Sequence, residues 1–226
     1  MRRIFSIALF AVAVLTANAQ NKNYTQYVDP LVGTQGFGHT FPGACVPFGM
    51  IQASPVTGAV GWDYCSEYVG TDRTIWGFTQ THLNGTGCMD LGDILVMPTH
   101  AGATVADDVT TYRSPFKKET ETARPGYYSV VLDKPQVKAE VSATPHVALY
   151  RFTYSQAKDA AVLLDFNHGP AWNEKQYHEQ CRSCELNIDD DYTISGHVNN
   201  AVWVNQDYWF VIRFNQPVAR TTYLKM

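Results

Sequence analysis

The stretch "GYYSVVLDKPQVKAEVSATPHVALYRFTYS", residues 126–155, decides the fold class. Its runs "GYYSVVLD", "VKAEVSA" and "HVALYRFTYS" are rich in β-branched and aromatic residues, several of them alternating with polar ones. Asp-Lys-Pro and Thr-Pro separate the runs, so the chain is expected to turn back on itself between extended segments. "AAVLLDF" at 160–166 continues the pattern, and "YTISGHV", "AVWV" and "YWFVIRF" follow, with "NN" and "NQD" as the expected hairpin connections. No segment carries four turns of helical periodicity. The one helix-tolerant piece is "NEKQYHEQC", 173–181, which has good helix formers without a continuous apolar stripe. Short strands with turn signals and no alternating helices predict an all-β protein, an antiparallel β-sandwich.

Outward from these strands the texture changes. The stretch "DPLVGTQGFGHTFPGACVPFGMIQASP", 29–55, has seven Gly or Pro between Gly33 and Gly49, alongside Phe37, Phe41 and Phe48. This density of breakers predicts long ordered loops anchored by aromatics, and structured loops of that length are usually functional. The same texture runs through "GFTQTHLNGTGCMDLGD", 77–93, which offers few side chains to a core.

At the N-terminus, Arg2 and Arg3 precede an apolar run from Ile4 to Leu15 and the small-residue motif Ala17-Asn18-Ala19. This is the order of a secretory leader cut after Ala19, leaving one domain over residues 20–226 that is exported and soluble. The run is shorter than the roughly 20 residues a membrane span needs. Without Arg2 and Arg3, the 17 basic residues fall to 15 against 21 acidic ones, and no basic cluster is present to bind a phosphate backbone. Nucleic acid is excluded as a partner on this count. Five cysteines, Cys45, Cys65, Cys88, Cys181 and Cys184, are too sparse for a disulfide scaffold, and an odd number leaves at least one thiol unpaired.

Several short patterns carry chemistry only in part. Gly33, Gly36 and Gly38 lack the spacing and the Lys-Ser/Thr of a phosphate cradle, so tight turns explain them better. His178, Cys181 and Cys184 have metal-like spacing but no fourth ligand at zinc-site spacing. Cys45, Cys65 and Cys88 lie in the loops without a sequence signal for a Cys-His nucleophile. His39 and His82 stand beside Thr40 and Thr81, where each ring either donates to a bound hydroxyl or holds its own loop. Asp63, Glu67, Asp90 and Asp93 fall near Trp62, Tyr64, Tyr68 and Trp76 in sequence. Aromatic faces that stack on C–H surfaces, with carboxylates that accept from hydroxyls, suit a neutral sugar; solvated turn aspartates beside core aromatics explain the same composition.

The words "YVDPLVGTQGFGHTFPGACVPFGMIQASP" (27–55), "GWDYCSEY" (61–68), "IWGFTQTHLNGTGCMDLGDILVMP" (75–98) and "YTISGHV" (192–198), in that order, resemble the N-terminal region of the family 92 glycoside hydrolases. The resemblance spans nearly the whole chain from Tyr27 to Phe214. It implies an exported bacterial, calcium-dependent, inverting exo-α-mannosidase, often of α-1,2 linkages in N-glycans or mannan. The implied architecture is an N-terminal β-sandwich packed on a C-terminal (α/α)6 barrel. In that family the catalytic acid and base and most calcium ligands belong to the barrel, which is absent from this chain. The chain is therefore expected to be inactive alone, truncated or encoded apart from its barrel, and no catalytic residue is assigned to it. The same matching places Trp62 at the pocket wall with Gly61, Asp63, Tyr64 and Cys65 beside it, and His82, Asp90 and Asp93 as further sugar-binding residues. The alternative reading is a free-standing carbohydrate-binding module.

Overall fold

The computed structural model describes residues 22–102, 109–156 and 158–223; the expected leader, residues 1–19, lies outside them. Its central strands are those the opening stretch predicts. Strands β8 (Tyr127–Leu132), β9 (Val137–Ala143) and β10 (Ala148–Tyr154) form a meander, extended at its other edge by β7 (Thr122–Arg124), and all pairings are antiparallel. The turn between β7 and β8 is Pro125-Gly126, where Gly126 takes φ 74°, a conformation that costs glycine little. Register then sets the core: Tyr128 faces Val141, Val130 faces Ala139 and Leu132 faces Val137, all at most 1% exposed.

The second layer is built largely from the Gly/Pro-rich half. Strands β1 (Ala44–Cys45), β2 (Gln52–Val56), β4 (Gly77–Thr79), β5 (Leu95–His100) and β11 (Ala160–Asp165) form a sheet in the order β1-β2-β4-β5-β11. Ala44, Ala53, Val56, Phe78, Leu95 and Met97 from this sheet share one buried cluster with Tyr128, Val130, Leu132, Ala139 and Val141 from the meander. Two antiparallel sheets with a common core make the predicted β-sandwich. Short strands β3 (Thr74–Ile75) and β6 (Ser114–Pro115) pair beside it. A third sheet, β12 (Cys181–Asp190), β13 (Thr193–Ala201) and β14 (Asn205–Arg213), follows the single α-helix of the described residues, α1 (Glu174–Glu179), which falls inside the helix-tolerant segment.

Two sequence expectations are corrected. "NN" and "NQD" are not turns: Asn199 and Asn200 lie in β13, Asn205, Gln206 and Asp207 lie in β14, and the chain reverses at 202–204. Their polar side chains are tolerated in the ladder because they have partners there. Asn199 donates to Asp207 across the strands at 3.0 Å, and Asn200 donates to buried Asp93. Second, of the three phenylalanines expected to anchor the first loop only Phe41 is buried; Phe37 and Phe48 are exposed. His178 sits on α1 while Cys181 and Cys184 lie on β12, and all five cysteines are free thiols. No helix among the described residues is long and apolar enough to cross a membrane.

Candidate functional site

Four connections converge next to the sandwich: 33–43 before β1, 57–73 between β2 and β3, 80–94 between β4 and β5, and 166–173 between β11 and α1. Backbone hydrogen bonds tie them together. Gly85 N donates to His39 O at 2.7 Å, and Gly70 N to Thr34 O at 2.7 Å. Ala171 N donates to Ala59 O at 2.7 Å and Gly61 N to Ala171 O at 2.9 Å. Non-glycine residues here occupy the left-handed region: His39 at φ 48°, Glu67 at 59°, Leu91 at 68° and Ile94 at 58°. Each such residue costs about 1–2 kcal/mol and persists only where its surroundings over-determine it.

A buried ion cluster supplies part of that constraint. The Glu67 carboxylate, 1% exposed, accepts from His168 Nε2 at 2.7 Å through Oε1 and from Thr79 Oγ1 at 2.8 Å through Oε2, with His82 Nε2 3.2 Å from Oε2. His82 Nδ1 meets Gln52 O at 2.7 Å, and His168 Nδ1 meets the Tyr177 hydroxyl at 3.2 Å. One carboxylate thus joins three of the four connections. Burial pushes the Glu67 carboxyl up, but the hydrogen bond from His168 and the two imidazoles outweigh it and hold the group below the usual carboxylate range. Burial lowers the His82 imidazole, against the opposing pull of Glu67 and the Gln52 carbonyl.

On this base the loops display aromatic surface. Trp62 opens a short 3-10 turn, Trp62–Tyr64, after Gly61 at φ 94°, and its indole is 47% exposed. Trp172 lies nearly parallel to it, ring centroids 6.3 Å apart at 27°, and is 42% exposed. His39 abuts Trp62 edge-on at 5.1 Å, and its buried Nε2 has no hydrogen-bond partner among the described residues. Behind the indole stands Gly87, where a methyl group would lie 2.0 Å from Trp62 Cη2. The variant Gly87→Ala is therefore expected to displace the Trp62 ring while changing the unfolding free energy by less than about 1 kcal/mol, since it disturbs an exposed ring outside the core. A shifted tryptophan emission maximum with an unmoved urea midpoint is the expected reading.

The predicted site residues separate by depth. Gly61, Trp62, Asp63 and Tyr64 lie at or near the surface, with the Tyr64 hydroxyl on Asp72 at 3.2 Å. Cys65 (1% exposed) and His82 (3%) do not meet solvent: Cys65 is enclosed and His82 has both ring nitrogens engaged within the fold. Asp93 is also buried, with Oδ1 accepting from Asn200 Nδ2 and the Tyr208 hydroxyl hydrogen-bonded to the same carboxyl. Asp90 is half-buried, and burial raises its carboxyl against hydrogen bonds from the Leu91 backbone, the Gln206 side chain, and the Val204 and Trp203 backbones. Trp172 and His168 went unnoticed in the sequence. Both are distant in the chain from their partners, and the nearest local signal is Asn173, which caps α1 one residue after Trp172.

Burial pushes the Asp93 carboxyl up to about 6, against the hydrogen bonds from Asn200 and Tyr208. Because the folded value exceeds the unfolded one of about 3.9, the stability that Asp93 contributes is complete below that pH and lost as pH rises through about 6. Asp93→Asn removes the titration. Its stability relative to wild type is expected to improve by about 2 kcal/mol between pH 4 and pH 8, read from urea unfolding at the two values.

The sequence profile of the glycosyl hydrolase family 92 N-terminal domain matches residues 27–226. The chain belongs to glycosyl hydrolase family 92. Among family 92 structures, an α-mannosidase from Bacteroides thetaiotaomicron is 36% identical with TM-score 0.78, the match covering 86% of this chain and 26% of that one. The same enzyme has been solved with mannoimidazole, at TM-score 0.77. An inverting family 92 mannosidase from Bacteroides thetaiotaomicron VPI-5482 shares the fold at 24% identity and TM-score 0.69, over 89% of this chain and 26% of that one. An uncharacterized secreted glycosidase of Arthroderma benhamiae is 31% identical over 156 residues, which is 62% of this chain and 19% of the relative. The chain thus spans about a quarter of the solved family 92 enzymes and about a fifth of the curated relative. The calcium implied by family 92 does not fit the donors at hand. No three His, Cys, Asp or Glu side chains are gathered for a metal among the described residues. Asn200 Oδ1, a buried oxygen with no hydrogen-bond partner among the described residues, falls far short of calcium's six to eight oxygen ligands.

Proposed function

We propose that this domain forms one wall of the mannose pocket of an exported, inverting exo-α-mannosidase acting on α-1,2-linked mannose of N-glycans or mannan. The observation that carries the reading is the half-exposed Trp62 indole on a loop cage braced by strained backbone and a buried carboxylate. A scaffold that holds a large apolar ring at the surface this firmly suits stacking on the C–H face of a sugar, with Asp63 placed beside it to accept from hydroxyls. Cys65, His82, Asp90 and Asp93 act from behind, fixing the loops. Inversion requires an acid and a base on opposite sides of the scissile bond with room for a water between them. Both carboxyls, and the calcium ligands, are assigned to an (α/α)6 barrel outside this sequence. Residues 1–19 act as the export leader, residues 20–226 as the domain, and the enzyme resides in the bacterial periplasm or medium.

The purified chain with calcium is expected to release no mannose from α-1,2-mannobiose, and to do so once supplied with its barrel. Hydrolysis by the chain alone, abolished by EDTA, would place the catalytic carboxylates here and overturn the reading. The second reading, a free-standing binding module, is favoured by one observation: this domain exposes Trp62 and Trp172 next to each other. Calorimetry separates the two. A module binds mannan tightly enough to saturate at micromolar concentrations, whereas half a pocket binds single sugars only in the millimolar range.

A further inference from the structure

We infer that Cys181 and Cys184 are a reversible dithiol–disulfide pair that braces the junction between α1 and β12. Neither thiol enters the mannoside reading above. The first support is register. Cys181 lies opposite Asn200, Ser183 opposite Asn199 and Cys184 opposite Val198, so Arg182 is the extra residue of a bulge. Directly opposed residues of an antiparallel pair point to the same side of the sheet. Asn200 and Val198 are two apart on β13 and both are buried on one face. The bulge therefore brings cysteines three apart in sequence onto that face as next neighbours, where an unbroken strand would point them opposite ways. The two thiols are hydrogen-bonded to each other.

Same-face neighbours along a strand are about 6.6 Å apart, near the upper end of the roughly 4.4–6.8 Å between the Cα atoms of a disulfide. Strand β12 can close what remains, because it is the edge of its sheet and a bulge bends the strand that carries it. Cys184 is exposed and Cys181 half-buried, so an oxidant meets Cys184 first. Burial, and then its neighbour Cys184, push the Cys181 thiol up to about 11, which keeps it protonated and leaves the first attack to Cys184. With glutathione disulfide as oxidant, the Cys184 thiolate attacks one sulfur, the S–S bond breaks, and one glutathione leaves as a thiolate that takes up a proton. Cys181, giving up its proton, then attacks Cys184 Sγ and expels the second glutathione. Two protein thiols lose two electrons, and one glutathione disulfide becomes two thiols. The location gives the bond its consequence. Gln180, 1% exposed and next before Cys181, donates through Nε2 to Asn167 O at 3.1 Å and Gly169 O at 2.9 Å, and its carbonyl accepts from Ala201 N at 3.0 Å. A ring closed from Cys181 to Cys184 fixes the backbone just after this anchor and so restrains the 166–173 connection.

Tryptic mapping of the purified chain, reduced and then incubated with glutathione disulfide, tests this. Cleavage after Lys175, Arg182 and Arg213 parts Cys181, in residues 176–182, from Cys184, in residues 183–213, so the internal disulfide is read as these two peptides joined. The expected result is that joined species, lighter by two hydrogens than the peptides together, with Cys45, Cys65 and Cys88 still free. Cys181→Ser is expected to stop at the glutathione adduct on Cys184 and to carry at least about tenfold more of it than wild type. Hydrogen exchange over residues 166–180 is expected to slow about threefold when wild type is oxidised, and to stay unchanged in Cys181→Ser. Equal adduct on wild type and Cys181→Ser, or either peptide joined instead to one holding Cys45, Cys65 or Cys88, overturns the pair. A joined species with unchanged exchange overturns the brace.

Discussion

Replacing Glu67 with alanine is expected to lower the unfolding free energy by about 3–5 kcal/mol, the largest stability effect of any single substitution around the site. Three groups lose their partner at once, His168 Nε2, Thr79 Oγ1 and His82 Nε2, in a place where water cannot replace it. The backbone adds to the loss, because Glu67 holds φ 59° only while its side chain is pinned. The isosteric Glu67→Gln keeps an acceptor for His168 and is expected to cost less, about 1–2 kcal/mol. Proton linkage separates a charge effect from a packing effect. The folded Glu67 carboxyl titrates below its unfolded value, so its contribution is present above about pH 4.3 and is lost as pH falls through the folded value. Glutamine does not titrate, and its variant is expected to lack this part of the acid-induced loss. Urea midpoints for the three proteins from pH 3 to pH 7 are the measurement; parallel curves for wild type and Glu67→Gln would show that the carboxylate carries no net charge in the fold.

The sandwich was legible where one face of a strand is wet and the turns are marked. "VKAEVSA" is β9 residue for residue, and "GYYSVVLD" contains β8 with its boundaries one residue in. These strands alternate or end at Pro, Gly and Asp, so local chemistry and tertiary burial agree. The first half of the chain hid its strands for the opposite reason. Most of β2 and β5 is buried without alternation, and each contains a proline, Pro55 and Pro98, so neither period nor propensity announces a strand. Strand β12 was missed because its residues are exposed or half-buried throughout, which leaves no apolar pattern to read.

The site was less legible, because its organising contacts are long-range. Glu67 and His168 are 101 positions apart, and nothing local to either marks the other. The resemblance marks His82 as a sugar residue and its neighbour Thr81 leaves the choice open, while in the fold the Gln52 carbonyl and Glu67 engage its ring. The glycine-rich run 77–93 buries Phe78, Thr79, His82, Met89 and Asp93, and its glycines serve as packing space for others. Gly77 leaves room for Leu95, Gly87 for the Trp62 indole, and Gly92, at φ 73°, for the Glu67 carboxylate. Glycine in this run is thus a record of what approaches it, which a composition count cannot express.

Trp62→Ala should show the opposite balance from Glu67→Ala: stability nearly retained and turnover lost. The ring is 47% exposed and lies outside both buried clusters, so truncation is expected to change the unfolding free energy by no more than about 1 kcal/mol. In the enzyme supplied with its (α/α)6 barrel, the same change is expected to lower kcat/KM on α-1,2-mannobiose about 100-fold, because removing the wall lets the sugar settle away from the geometry an in-line attack by water needs. Part of that loss should return in Trp62→Phe, which restores an apolar face of smaller area. The neighbouring indole does not compensate, since Trp172 is fixed by its own backbone and cannot cross the 6.3 Å between the rings. Steady-state rates for wild type and the two variants decide the point. A Trp62→Ala enzyme within threefold of wild type would mean that the exposed ring faces the partner domain, not the substrate, and that sugar recognition lies wholly outside this fold.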